Sequence, residues 1–240
     1  EPFAGLFTQG MVTHETYRDE SGRWLSPDEV ADGIVIATGA PAIAGRVEKM
    51  SKSKRNTVDP APIIDQYGAD AVRWFMLSDS PPERDLQWSL AGIEGASRFV
   101  NRLWRIAGLA KDAPAGEDEA LTRLTHKAID GITHDIDRLQ FNKAVARAYE
   151  LANAIEKAKP SAARAQAART LLLLVSPMVP HVAEEAWALI GEQGLIADAS
   201  WPVADPALLV DDEVTYAVQV NGKLRETVAL AKGLPRPEVE

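Results

Sequence analysis

Between Arg46 and Arg55 the chain sets five cations, Arg46, Lys49, Lys52, Lys54 and Arg55, against a single acid, Glu48. Met50 is the one apolar side chain in the stretch Lys49-Met50-Ser51-Lys52-Ser53-Lys54. A segment of this composition cannot build a core; it is either solvated or it meets something strongly anionic. Ser51 and Ser53 alternate with Lys52 and Lys54, so backbone N–H groups, hydroxyls and ammonium groups can face one anion together. That donor set suits a polyphosphate, whose spread charge is best met by several donors. The pattern is not the glycine-rich phosphate loop with its Gly-Lys-Ser/Thr ending; it would grip through side chains and could move.

Positioning such a loop requires firm elements on both sides. Downstream, Asp59-Pro60 reads as an N-cap followed by a first helical residue, and Gly68 reads as the left-handed end of that short helix. Ala71, Val72, Phe75 and Met76 then form an apolar helix face. Upstream, Gly10-Met11-Val12 leads into a strand, Asp19-Glu20-Ser21-Gly22 is a turn, and Arg23-Trp24-Leu25 returns from it. The run from Gly33 to Thr38 predicts a short buried strand that anchors the start of the loop.

After Ser80-Pro81-Pro82 the periodicity becomes helical as far as about Gly191. Leu121, Leu124, Ala128, Ile132, Ile136 and Leu139 share one face, as do Phe141, Val145, Tyr149, Ala152 and Ile155. Ser161 caps a further helix, Pro177 and Pro180 interrupt it, and Trp187 and Ile190 sit on the last. Short connections between helices of this length predict an antiparallel bundle. Trp201 to Pro206 is an extended linker, after which Val214, Tyr216, Val218 and Val220 alternate up to Asn221-Gly222, a strong hairpin signal. Leu224, Val228 and Leu230 continue the return strand. A lone hairpin is marginal in water, which points to a domain that continues further.

The bundle carries a second constellation. Arg98, Asn101, Arg102 and Arg105 fall at i, i+3, i+4 and i+7, one helical stripe that could follow nucleic-acid phosphates. Lys143 and Arg147 form another basic pair at i, i+4. Each could equally be an ordinary solvated face. His181 with Glu184 and Glu185 lacks the second histidine of an inverted zinc-protease helix, so no metal site is expected; Pro180 starts a helix whose positive end the two glutamates complement. Trp88, Trp104, Trp187 and Trp201 are read as packing anchors.

The chain has 240 residues, 46% of them hydrophobic and 25% charged, which suits one large or two modest globular domains. No apolar run approaches the ~18 residues of a membrane span. The absence of cysteine excludes disulfides and thiolate metal sites and is compatible with a cytoplasmic location. The net charge of −9 means that any nucleic-acid partner must be met by local basic patches.

Lys49-Met50-Ser51-Lys52-Ser53 is, letter for letter, similar to the KMSKS signature of class I aminoacyl-tRNA synthetases. Lys54-Arg55-Asn56-Thr57-Val58-Asp59-Pro60 resembles the leucyl-enzyme continuation, where the valyl, isoleucyl and cysteinyl enzymes tend to have Leu-Gly-Asn. Tyr67-Gly68-Ala69-Asp70, Asp85-Leu86-Gln87-Trp88-Ser89, Arg98 to Trp104, Leu139 to Ala144, Pro177 to His181 and Val218 to Arg225 resemble further leucyl-enzyme segments. The resemblance implies a mainly α chain: a partial α/β region bearing the loop, then an antiparallel helical bundle of the class Ia anticodon-binding type, then a terminal β-hairpin from a truncated C-terminal domain. The expected divisions are 1–79, 80–207 and 208–240.

By the same resemblance, the chain is the carboxy-terminal part of a bacterial-type leucyl-tRNA synthetase, an enzyme that activates leucine with ATP and Mg2+ and transfers it to tRNA(Leu). Lys52 would stabilise the departing pyrophosphate, with Lys49, Met50, Ser51, Ser53 and Lys54 binding ATP around it, and Arg98, Asn101, Arg102, Arg105, Lys143 and Arg147 binding tRNA. The half bearing the HIGH motif lies outside this sequence, so the chain alone is expected to be inactive, to hold no tight cofactor, and to be monomeric. The alternatives are a non-catalytic tRNA-binding module, or a synthetase for valine, isoleucine or methionine.

Overall fold

The structure, a computed structural model, describes residues 2–111, 113–210, 213–220 and 223–231. Strand β1 (Val12–Arg18) forms the centre of the first sheet. The turn after it is held by Asp19, whose carboxylate accepts from the N–H groups of Ser21 and Arg23, both at 3.0 Å, and it returns as β2 (Trp24–Leu25). β3 (Val30–Ala31) and β4 (Ile34–Val35) make a small ribbon across Asp32-Gly33, where both residues take positive φ (50° and 76°), as a primed two-residue hairpin turn requires.

That ribbon overturns one expectation. The Gly33–Thr38 run is not a buried strand: only Val35 is buried, while Ile34 and Ile36 are exposed. The strand that leads into the basic segment is β5 (Ile43–Lys49), antiparallel to β1 and largely solvent-facing. Arg46 to Lys49 therefore belong to the strand, and the loop proper begins at Met50.

Asp59 caps α1 (Pro60–Tyr67) by accepting from the Ala61 N–H at 3.0 Å. Gly68 separates it from α2 (Ala69–Ser78) with φ 84° and ψ 152°, positive in φ as expected but too extended in ψ for the left-handed helical region. The buried face of α2 is Asp70, Ala71, Trp74 and Phe75, whereas Met76 is exposed, so the apolar face is rotated from the one expected. β6 (Leu86–Gln87) then runs parallel to β1, on the edge opposite β5.

Five more helices follow among the described residues: α3 (Leu90–Gly108), α4 (Glu119–Asp137), α5 (Phe141–Lys157), α6 (Ala162–Val175) and α7 (Pro180–Leu189). Ser89, Asp118 and Ser161 cap three of them with side-chain oxygens. The faces of α4 and α5 read from periodicity turn inward, except that Leu139 lies in the α4–α5 turn with φ 57° and is exposed. α6 touches α3, α4, α5 and α7, which is why its Leu171 to Val175 run is buried on all sides.

The core is continuous across the Pro81-Pro82 break. Trp74 of α2 stacks on Phe99 of α3 with ring centres 4.6 Å apart, and its Nε1 donates to the Tyr149 hydroxyl of α5 at 3.3 Å. Phe75 fits against α3 because position 92 is glycine: a Cβ there would lie 2.6 Å from the ring. The helices after the loop are thus built into the bundle. β7 (Glu213–Val220) and β8 (Lys223–Ala231) pair antiparallel, as their alternation predicts. The Asn221-Gly222 turn lies outside the described residues.

Candidate functional site

Strand pairing carries the chain as far as Met50, whose N–H donates to Val12 O at 3.0 Å. Beyond it, Lys52–Lys54 makes one 3-10 turn, closed by the Arg55 N–H donating to Lys52 O at 3.2 Å. Arg55 adopts the left-handed conformation (φ 54°, ψ 20°), uncommon for a non-glycine residue and costing about 1 kcal/mol. Three contacts hold it there: its guanidinium pairs with Glu29 at 3.0 Å and reaches Trp24 O and Ser26 Oγ, both at 3.4 Å.

Asn56 lies under the turn with 0% exposure. Its Oδ1 accepts from the Ser51 N–H at 2.9 Å, and its Nδ2 donates toward His14 O and Glu48 O, both at 3.2 Å. The loop is therefore fastened at its base to β1 and β5. Asn56 was missed by the sequence reading; the available signal was an amide side chain directly after a cation-rich turn.

The five cations divide into two groups. Lys54 pairs with Glu48 and Arg55 with Glu29. Arg46, Lys49 and Lys52 have no ion-pair partner among the described residues, and Lys52 and Ser53 are exposed. Ser51 Oγ and Ser53 Oγ lie 3.3 Å apart. The arrangement presents free ammonium groups and two hydroxyls to solvent above a fixed base, a surface that can take up a multiply charged anion.

On the bundle the stripe is split. Arg98, Asn101 and Arg105 are exposed on α3. Arg102 is 17% exposed and turned toward α5, donating to Asn153 Oδ1 at 2.7 Å and pairing with Glu156 at 2.9 Å. Of the second pair, Lys143 donates to Gln140 Oε1 at 2.8 Å, while Arg147 binds the buried carboxylate of Asp135 at 2.7 Å. Trp104 is 42% exposed beside Arg105, so it is not a packing anchor, unlike Trp187, which is buried.

The loop-bearing part and the bundle are joined by α2. Asp70 accepts from the Val182 N–H at 2.7 Å, and Arg73 donates to Met178 O at 3.0 Å and Pro177 O at 2.8 Å. The positive end of α7 is thus complemented by Asp70. Glu184, expected in that role, instead accepts from the N–H groups of Ile196 and Ala197. A cleft of about 890 Å³ lies elsewhere, between α4 and α6 under residues 200–208, and does not include the basic loop.

The sequence and the fold are similar to those of known proteins. Residues 118–240 match the family described as the anticodon-binding domain of tRNA ligase, and residues 35–89 match class I tRNA synthetases (I, L, M and V). A leucine–tRNA ligase from Rhizorhabdus wittichii is 71% identical over 240 residues, all of this chain and 29% of that protein. One from Zymomonas mobilis is 59% identical over 245 residues, again covering 100% of the chain and 29% of the relative. A solved Agrobacterium radiobacter K84 structure, described as the ternary complex of agnB2 LeuRS with tRNA and LeuAMS, superposes with a TM-score of 0.69 at 28% identity, covering 100% of this chain and 29% of that one.

Proposed function

The chain belongs to the tRNA ligase family that carries this anticodon-binding domain, and on that premise we propose that it is the part of a leucine–tRNA ligase that meets the ATP phosphates and cradles tRNA(Leu). The chain spans about 29% of the length of the curated relatives it matches, so leucine activation is an activity of the complete ligase. The observation that carries this reading is Lys52: an exposed ammonium with no ion-pair partner among the described residues, on a turn whose base is fixed to two strands. Positive charge held where pyrophosphate leaves stabilises the transition state for adenylate formation more than it stabilises bound ATP.

Lys49, at the end of β5, adds a second ammonium with no ion-pair partner among the described residues, and Ser51 and Ser53 add hydroxyl donors, while Lys54 is engaged by Glu48. Mg2+ would travel as the counter-ion of the phosphates; no group of three or more His, Asp or Glu that could hold a metal occurs among the described residues. On the RNA side, the exposed residues Arg98, Asn101 and Arg105 form the track, with the Asn101 amide nitrogen donating to Ser97 O at 2.9 Å, and Lys143 adds charge beyond it. Such phosphate contacts position RNA without reading its sequence. Location in the cytoplasm and a monomeric state complete the reading; no described helix is long and apolar enough to cross a membrane.

The test is amino-acid-dependent ATP–pyrophosphate exchange and tRNA charging by the full-length ligase. Leucine is expected to support both. Charging with valine, isoleucine or methionine instead of leucine would refute the assignment. The 240-residue chain alone is expected to give no exchange.

A further inference from the structure

We propose that Asn56 is a positioning residue for Lys52, holding the base of the loop so that the ammonium stands where the leaving pyrophosphate needs it; this rests on the proposed adenylate-forming role of the loop. A carboxamide offers one acceptor oxygen and two N–H donors. Here the oxygen faces the one backbone donor, Ser51 N–H at 2.9 Å, and the nitrogen faces three backbone acceptors: His14 O at 3.2 Å, Glu48 O at 3.2 Å and Lys49 O at 3.4 Å. The reverse orientation would set donor against donor and acceptor against acceptor, so the network itself fixes the side chain.

The position of these contacts gives them their role. Ladder pairing between β1 and β5 runs out at Thr13 and Lys49, and Met50 makes the last backbone bond to β1. Ser51 has passed the end of the ladder, and Asn56 supplies the partner that a neighbouring strand would otherwise provide. Lys52 is the next residue, so its backbone starts one residue beyond the last fixed point. Arg55 N–H closing on Lys52 O brings the chain back to Asn56, which makes the turn a closed unit. Lys54 and Arg55 brace the far side through Glu48 and Glu29, whereas the Ser51 N–H, one residue before Lys52, is held by Asn56. An aspartate at 56 could still accept from Ser51 but would turn a carboxylate oxygen toward three carbonyls.

The experiment uses the full-length ligase and a double-mutant cycle. Asn56→Ala is expected to lower the kcat of leucine-dependent ATP–pyrophosphate exchange by about 10- to 100-fold, a fraction of the loss expected for removing the charge itself. The KM for leucine and the Kd for tRNA should stay within about twofold. In a Lys52→Ala background the same substitution should cost less than about threefold, because residues that act as a unit lose their effects together. Asn56→Asp should not restore the rate. Equal losses with and without Lys52 would mean that Asn56 is only general scaffolding, and would overturn the proposal. So would a single variant with unchanged kcat. Hydrogen exchange at the Ser51 amide of the unsubstituted protein gives an independent reading: protection is expected, and free exchange would overturn the proposal even if Asn56→Ala did not fold. If exchange ran with another amino acid, the leucine assignment would fail while the Lys52–Asn56 coupling was still measured; exchange with none would overturn both.

Discussion

Asp70 and His181, 111 residues apart in the chain, meet at 2.8 Å between Oδ1 and Nδ1, while Oδ2 of the same carboxylate accepts from the Val182 N–H at 2.7 Å. A side chain from α2 thus caps α7, whose own N-cap residue, Val179, has no side-chain oxygen to offer. The two members contribute unequally. Asp70 is 5% exposed, whereas the His181 side chain is 73% exposed.

Asp70→Ala removes the cap and leaves the Val182 N–H without its partner. Loss of a cap and of a buried acceptor predicts a destabilisation of about 1–3 kcal/mol. His181→Ala removes a solvent-exposed ring and should cost less than about 0.5 kcal/mol. Urea denaturation followed by helical circular dichroism measures both; comparable losses would mean that the imidazole, not the backbone cap, holds the junction.

The arginines of the bundle separate into two classes with different readouts. Arg98→Gln and Arg105→Gln should each lower the slope of log K against log salt for tRNA binding by about 1, with little effect on stability. Arg102→Gln and Arg147→Gln should leave that slope nearly unchanged and destabilise the fold by about 1–3 kcal/mol, because each strips a partner from Glu156 or Asp135. A full loss of slope on Arg102→Gln would show that this residue swings out to meet RNA.

What could be read in the sequence was what is decided locally. The Asp59 and Ser161 caps, the Asp19 turn and the inward faces of α4 and α5 follow from spacing and turn chemistry within a few residues. The buried strand expected at Gly33–Thr38 failed because apolar composition alone does not say which side is covered; Asp32-Gly33 makes a ribbon there with only Val35 buried. The helical stripe correctly aligned Arg98, Asn101 and Arg105. It could not reveal that Arg102 faces Asn153 and Glu156, which lie on another helix. The partners of Asn56 and Asp70 were invisible for the same reason, since they include His14 and Val182, far away in the chain.

Gly131 tests the packing of α4 on α5. A Cβ at this position would stand 2.7 Å from the Arg147 guanidinium, which passes over it to reach Asp135. On helix propensity alone, Gly131→Ala should stabilise α4 by about 1 kcal/mol. Displacing Arg147 from a carboxylate that is 4% exposed is expected to outweigh that gain and leave a net loss of about 1–2 kcal/mol. A measured stabilisation would show that Arg147 finds another path to Asp135.

The loop lysines should differ in the full-length ligase although they stand two residues apart. Lys52 has no partner among the described residues, so its charge is available to the departing pyrophosphate; Lys54 is already neutralised by Glu48. Lys52→Ala is therefore expected to slow leucine-dependent ATP–pyrophosphate exchange by about 100- to 1000-fold, the usual loss when one donor to developing negative charge is removed. tRNA affinity should change less than about threefold, since Lys52 is one cation among several. Lys54→Ala should cost less than about tenfold, and part of that loss should come from slackening the turn. Glu48→Gln separates the two contributions of Lys54, because it frees the ammonium while leaving the Glu48 carbonyl in place for Asn56. If the ion pair mainly withholds charge, exchange should hold or rise; if it mainly braces the loop, exchange should fall alongside Lys54→Ala. Equal losses for Lys52→Ala and Lys54→Ala would remove the distinction on which the catalytic assignment of Lys52 depends.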